Sequence, residues 1–407
     1  MNYKPELLSP AGNREKLEAA VRYGAGAVYF AGNAFGMRAA ADNFTLEGIF
    51  DAVKYCHERG VKAFLTVNTM PREADYPALC EYLSSLRGSG IDALIVADPG
   101  VIALAKDLLP EATLHLSTQS SVLSSATCRA YAEMGVSRIV LARELSLAEI
   151  KEIRRNIPAE LELEVFIHGS MCVSYSGRCL LSEHFTGRDA NNGRCTQPCR
   201  WNYHIYDVIE EKRPDLPLPV MQTDEGTFVM SSKDMCMIEH IPELLEAGIT
   251  SFKIEGRMKS AYYTAVTTNA YRMAFDRYIA DPAGYVNDPL LLRELESVSH
   301  REYCTGYFFT NPMDKAQLCE TDGYLREKAY IAVAERYEDG IGYFIQRNKV
   351  CVGDTLELIT PGQVGRPFTV TALFDEEGGA IEAAPHPSMK FSLPVPFEVK
   401  EGDILRM

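Results

Sequence analysis

At 407 residues the chain is too long for one ordinary domain and predicts two or three. Its 46% hydrophobic and 24% charged content is that of a globular protein, and no apolar run reaches the roughly 18 residues that a membrane helix needs. A net charge of −15 excludes broad, sequence-blind nucleic-acid binding, which requires a basic surface, but leaves room for a local basic site.

The first residues, Met1 to Glu6, hold no apolar signal-peptide core, so the chain is expected in the cytoplasm with reduced thiols. Short apolar strands are predicted at 6–9, 27–32, 62–68, 93–98, 113–119, 138–143, 162–169 and 251–256. Amphipathic helices are predicted between them at 13–23, 45–58, 74–86, 101–108, 122–134, 147–155 and 238–247, with a longer one at 258–279. Asn13 and Thr45 are natural helix caps, and Gly60 is a natural stop.

Eight strand–helix units predict an α/β fold: a (β/α)8, TIM-like barrel spanning residues 1–280. An open doubly wound sheet is disfavoured, because the turn after the first strand, Ser9-Pro-Ala-Gly-Asn13, is not a Gly-rich phosphate loop. The seventh strand is not followed directly by its helix. A Cys-rich insertion and a hairpin with a Pro-rich turn near 214–219 intervene, spanning residues 170–236. Residues 281–323 read as a linker with a short helix. From residue 324 to 407 only short strands remain, at 329–334, 341–346, 355–359, 368–373 and 397–400, which predict a C-terminal all-β barrel domain.

Strand alternation assigns faces. In the seventh strand Leu163, Val165 and Ile167 form the apolar face, so Glu164 and His168 are expected to point into the barrel. The same rule turns Lys253, Glu255 and Arg257 inward in the eighth strand, and Gln119 and Asn68 at the ends of the fifth and third. A buried structural ion network of Glu164, Glu255 and Lys253 competes with a polar substrate pocket. The residues nearest the strand ends favour the pocket. Candidate catalytic groups are His168, Glu164 and Glu255; candidate substrate-binding groups are Asn68, Gln119, Arg178, Lys253 and Arg257.

Five cysteines stand out: Cys172, Cys179, Cys195 and Cys199 fall within 28 residues, and Cys236 follows. Thiols bunched in a reducing compartment point to metal or catalysis rather than disulfides. Spacing alone leaves zinc and an iron–sulfur cluster equally open. A Cys172–His168 nucleophile and base is a third reading, which would be hydrolytic. Arg178, Arg188, Arg194 and Arg200 outnumber Glu183 and Asp189 between His168 and Trp201, a local excess that suits an anionic cluster, a carboxylate substrate or RNA phosphate.

The stretches Glu6-Leu-Leu-Ser-Pro-Ala-Gly12, Glu164-Val-Phe-Ile-His-Gly-Ser-Met-Cys172, Ser176-Gly-Arg-Cys179, Asn192-Gly-Arg-Cys-Thr-Gln-Pro-Cys-Arg-Trp201 and Ser251-Phe-Lys-Ile-Glu-Gly-Arg257 resemble peptidase family U32. The family name implies proteolysis. Its better-understood members are oxygen-independent hydroxylases, and the chain's layout is most similar to the branch that makes 5-hydroxyuridine at the tRNA wobble position. That resemblance implies a 4Fe–4S cluster, prephenate (a small dicarboxylate) as co-substrate, and tRNA as partner. Carried over residue by residue, it implies Cys172, Cys179, Cys195 and Cys236 as ligands, with Cys199 as a possible replacement. A non-enzymatic, metal-stabilised scaffold, with the C-terminal β domain recruiting a protein partner, is the remaining alternative.

Overall fold

The computed structural model describes residues 5–38, 42–172, 174–203, 220–223, 226–229, 232–309 and 324–407. Eight strands, β1 (Glu6–Pro10), β2 (Ala27–Ala31), β3 (Lys62–Val67), β4 (Ala93–Val96), β5 (Thr113–Leu116), β6 (Arg138–Val140), β7 (Glu162–Ser170) and β8 (Ser251–Ile254), pair in parallel in sequence order. β8 bonds to both β7 and β1 and closes the barrel. Helices α1 (Arg14–Arg22), α2 (Leu46–His57), α3 (Tyr76–Ser85), α4 (Pro99–Leu108), α5 (Ser125–Glu133) and α6 (Leu147–Arg155) alternate with the strands.

Local chemistry sets these boundaries. Asn13 accepts from the Lys16 amide at 3.0 Å and Thr45 from the Gly48 amide at 3.1 Å, each satisfying an amide that the first helical turn leaves open. α4 begins two residues before its predicted start: Pro99 fits the first turn, where its missing N–H costs nothing, and Asp98 caps it. β5 ends at Leu116, short of its predicted end, because the Ser117 hydroxyl accepts from the Gln119 amide and starts a tight turn over 118–120.

The barrel interior is divided. Leu8, Ala27, Tyr29, Phe64, Ala93 and Ile95, all from β1 to β4, form an apolar cluster of their own. β5 to β8 contribute buried His115, Arg138, Glu164 and Lys253. Alternation identifies only the polar half.

In the insertion, α7 (Leu181–Thr186) precedes a three-stranded antiparallel sheet of Asn202–Tyr203, Val220–Thr223 and Gly226–Val229. The predicted Pro-rich turn at 214–219 lies outside the described residues. The chain returns as the strand Asp234–Cys236, antiparallel to β7, before α8 (Ile241–Glu246). α9 (Ala261–Ala280) is buried along most of its length and packs against α1 and α10 (Pro289–Glu296).

The region expected to be a linker belongs to the barrel. Leu291, Leu295 and Val298 join the barrel core, and the strand Tyr303–Cys304 pairs with Asp234–Cys236. Residues 310–323 lie outside the described residues.

The C-terminal domain is an eight-stranded antiparallel sheet curled around a separate core that includes Phe344, Leu356, Phe391 and Leu405. No strand forms at 397–400. The strands there are Lys390–Pro394 and Ile404–Arg406; Pro396, which cannot donate to a ladder, follows the end of the first. Buried Arg406 ties the domain to the barrel, bonding Glu294 at 2.6 Å, Ser297 at 2.8 Å and, within its own domain, Glu357 at 2.7 Å. No helix among the described residues is long and apolar enough to cross a membrane.

Candidate active site at the barrel mouth

The C-terminal ends of the strands open into a cavity of about 390 Å³, the end where such barrels carry their active sites. Thr66, Asn68, Ser117 and Gln119 line one side; Phe166, Lys253, Glu255 and Arg257 line the other. The Cys-rich insertion covers the mouth. Gly177 allows its close approach: a Cβ there would lie 2.5 Å from the Gln119 carbonyl oxygen, and its φ of +76° is one that side chains disfavour.

Beneath the cavity, ion pairs plug the barrel. Glu164 accepts from Lys253 Nζ at 3.0 Å and Ser251 Oγ at 3.1 Å, and Arg138 stands 3.3 Å away. Arg138 also bonds Glu6 and Glu162. Burial opposes the Arg138 charge, but Glu164 and Glu6 outweigh it and raise its pKa. Glu164 therefore belongs to a structural network and is not on the cavity wall, which only Lys253 reaches.

His168 also departs from expectation. The β7–β8 register shifts between Lys253 and Ile254, so that Ile254 pairs with His168. This bulge breaks the two-residue alternation and turns the imidazole out of the cavity, among the rings of Tyr263, Tyr271 and Tyr303. Its Nδ1 lies 3.4 Å from the Tyr271 hydroxyl. Burial pushes its pKa down to about 3, so it is neutral. It shares no wall with Cys172, and the catalytic role expected for it has no geometric basis.

The inward placement of Asn68, Gln119, Lys253, Glu255 and Arg257 agrees with the alternation. Asn68 donates to Ser117 Oγ at 3.1 Å and accepts from the Met37 amide at 3.2 Å. Gln119 Oε1 is buried without a partner among the described residues. Burial alone would raise the Glu255 carboxyl, but Arg38, Arg143, Arg257 and Lys253 outweigh it and hold the pKa below the usual value. Tyr29 donates to Glu255 Oε2 at 3.3 Å. Arg257 is 3% exposed and donates to Thr66 Oγ1 at 3.1 Å. Burial pulls its pKa down to about 10.

Arg178 is exposed and off the wall. Two arginines that sequence reasoning passed over line the cavity instead. Arg143 bonds the Ser170 carbonyl at 2.7 Å and Ser176 Oγ at 3.2 Å, lies 3.8 Å from Cys172 Sγ and stacks on Phe166. Its position at the end of the predicted sixth strand is a usable signal. Arg38, in the loop after β2, offers none. It stands 3.6 Å from Glu255, which raises its pKa against burial, with Cys172 and Cys195 adding to the effect.

Cys172, Cys179, Cys195 and Cys199 all line this cavity. Cys236 sits behind the wall, buried, with the Tyr271 hydroxyl donating to its sulfur at 3.8 Å; burial pushes its pKa up to about 12. Among the described residues no three His, Cys, Asp or Glu side chains converge on one ion position. The donors are four thiols spread around a cavity, with two guanidiniums nearby. That donor chemistry suits a polynuclear thiolate-bound group with anionic character.

The chain resembles curated proteins along most of its length. It is 38% identical over 394 residues to tRNA hydroxylation protein P1 of Bacillus subtilis, covering 96% of this chain and 92% of that one. It is 35% identical to tRNA hydroxylation protein P of Escherichia coli, covering 100% and 97%. It is 29% identical to a protein named collagenase from Porphyromonas gingivalis, covering 98% and 97%. The model of peptidase family U32 matches residues 12–318, and that of the peptidase family U32 C-terminal domain matches residues 326–406. With both models satisfied in order, the chain belongs to peptidase family U32.

Proposed function

We propose that the protein is an RNA-modifying hydroxylase acting on tRNA, with C5 of the wobble uridine as target, a 4Fe–4S cluster as cofactor and prephenate as oxygen source. The observation that carries this reading is a single cavity that joins four cysteine side chains to a cationic wall, in a chain similar over nearly its whole length to tRNA hydroxylation proteins. Cys172, Cys179 and Cys195 would hold the cluster, with Cys199 or Cys236 as the fourth ligand. A bound cluster supplies electron transfer at thiolate-held iron.

The chain's own residues supply binding and electrostatics. Arg143 and Arg38 offset negative charge at the thiolates. Arg257 and Lys253 present cations to the carboxylates of a small acid such as prephenate. Asn68 and Gln119 offer hydrogen bonds that fix its orientation. Glu255, ionised among cations, is the wall group able to accept a proton on a carboxylate oxygen.

A peptidase reading is favoured by the collagenase relative. It lacks a nucleophile–base pair among the described residues, since His168 faces away from Cys172. Mass spectrometry of tRNA from a deletion strain tests the proposal. Loss of wobble 5-hydroxyuridine, restored by the wild-type gene, is expected; unchanged levels in a strain without a paralogue would overturn it.

A further inference from the structure

The insertion carries exposed apolar side chains, two of them aromatic, that the cavity chemistry does not use. Leu180 is 64% exposed, Phe185 53% and Trp201 39%. All three flank residues that line the cavity: Leu180 precedes Leu181, Phe185 lies one helical turn beyond it, and Trp201 follows Cys199 by two residues. The rings form a row, with His184 and Phe185 centroids 5.3 Å apart and Phe185 and Trp201 6.4 Å apart. The row is preorganised. Trp201 Nε1 donates to the Thr196 carbonyl at 3.0 Å, and the Thr196 amide donates to Ser182 Oγ at 3.1 Å. Across the mouth, Tyr324 is half exposed with Lys259 Nζ 4.3 Å from its ring centre.

The charge around the row runs against that of the whole molecule. Arg178, Arg188 and Arg194 are exposed on the same insertion and make no ion pair among the described residues, in a chain of net charge −15. Rings and arginines are enriched at protein interfaces as well, but three exposed arginines beside the rings of an acidic chain add a charge match to a polyanion with flat, exposed bases, which is single-stranded RNA. Duplex RNA hides those faces within its stacks.

We propose that this face docks a single-stranded RNA loop. A base neighbouring the target stacks on Phe185 and Trp201, the arginines hold flanking phosphates, and the target base turns into the cavity. The proposal rests on the RNA-hydroxylase reading and adds to it the surface that selects loops over duplexes.

Fluorescence anisotropy of an unmodified anticodon stem–loop, titrated at several salt concentrations, tests it. The proteins compared are wild type, Phe185→Ala, Phe185→Tyr and the triple variant Arg178→Glu, Arg188→Glu, Arg194→Glu, each checked by circular dichroism and iron content. Phe185→Ala should weaken loop binding about tenfold or more, Phe185→Tyr should restore it, and a fully paired RNA should show neither effect. The triple variant should flatten the salt dependence, by about 0.7 log unit per log of salt for each phosphate that an arginine no longer neutralises. Wild-type affinity in Phe185→Ala, or equal losses on loop and duplex, overturns the docking surface. If tRNA in cells carrying that variant is still hydroxylated normally, the function stands without it. A wild type that neither binds the loop nor modifies tRNA removes both.

Discussion

Arg38 Nη2 stands 3.6 Å from Glu255 Oε1 and joins the loop after β2 to the end of β8 across the cavity. Burial favours the neutral acid at Glu255, yet the surrounding cations hold its pKa below the ordinary value. A depressed carboxylate contributes stability that is present above its unfolded pKa and lost as pH falls through the folded one. Glu255→Gln should therefore destabilise the protein at pH 7 by about 1–3 kcal/mol, and its deficit against wild type should shrink as pH falls below the ordinary carboxylate pKa of 4.5. Urea unfolding across that range measures it. A deficit independent of pH would mean that Glu255 is not ionised in the fold.

Glu164 and Lys253, 3.0 Å apart inside the barrel, make a different case. Glu164→Ala leaves Lys253 and Arg138 without their shared buried partner, and a broken buried pair costs about 3–5 kcal/mol. The double variant Glu164→Leu with Lys253→Met should lose less than the two single changes added together. A double-mutant cycle on unfolding free energies reads the coupling, and strict additivity would contradict the network.

The difference between these two carboxylates shows what a sequence can carry. Lys253 within β8, and Glu255 and Arg257 just beyond its end, all reach the face that alternation predicts. The caps Asn13 and Thr45 and the eightfold alternation of strands and helices reveal the barrel, and the thiol spacing marks the insertion. Depth is another matter: Glu164 and Glu255 share a direction but lie at different levels. A bulge such as the one at His168 depends on how two strands meet, which neither strand encodes alone. Arg38 lies on a loop without periodicity, so only the folded chain brings it to the site.

His168 gives a pH signature of its own. Its folded pKa is about 3, against about 6.5 for a free imidazole. Between those values the unfolded chain takes up a proton that the fold refuses, so stability should rise with pH across that window. The limiting gain is about 1.4 kcal/mol per pKa unit. His168→Phe should flatten this dependence and keep the ring packing with Tyr263 and Tyr303. Thermal melts at pH 4, 5, 6 and 7 decide it, and equal slopes in both proteins would refute a neutral buried imidazole.

Arg406 lies at the domain seam, held by Glu294, Ser297 and Glu357. Arg406→Met strands two acidic partners in a largely buried site and should cost about 3 kcal/mol or more. Because the C-terminal sheet has its own core, the loss should appear as earlier separation of the two domains, not as collapse of either. Calorimetry should split into two transitions, and limited proteolysis should part the two domains sooner than in wild type. A single sharp transition at the wild-type temperature would show that the seam does not depend on this arginine.

The fourth cluster ligand is the most consequential open choice, because the resemblance and the geometry favour different residues. The resemblance points to Cys236, whereas the structure puts Cys199 on the cavity wall with Cys172, Cys179 and Cys195. Cys236 is buried against Tyr271, and its thiol is hard to ionise there, with a pKa of about 12. To act as ligand it must lose that proton and turn from the Tyr271 hydroxyl toward the cavity. Metal binding can drive such a change, since the metal stabilises the thiolate. The two cases diverge in Tyr271→Phe. If Cys236 is a ligand, removing the hydroxyl should alter the cluster's potential or EPR spectrum; if Cys199 is the ligand, both should stay as in wild type. Anaerobic purification of Cys199→Ser and Cys236→Ser, with iron and sulfide analysis, gives the direct answer. Cys172→Ser should lose the cluster in either case, and retention of full iron and sulfide by all three variants would remove the iron–sulfur assignment from this cavity.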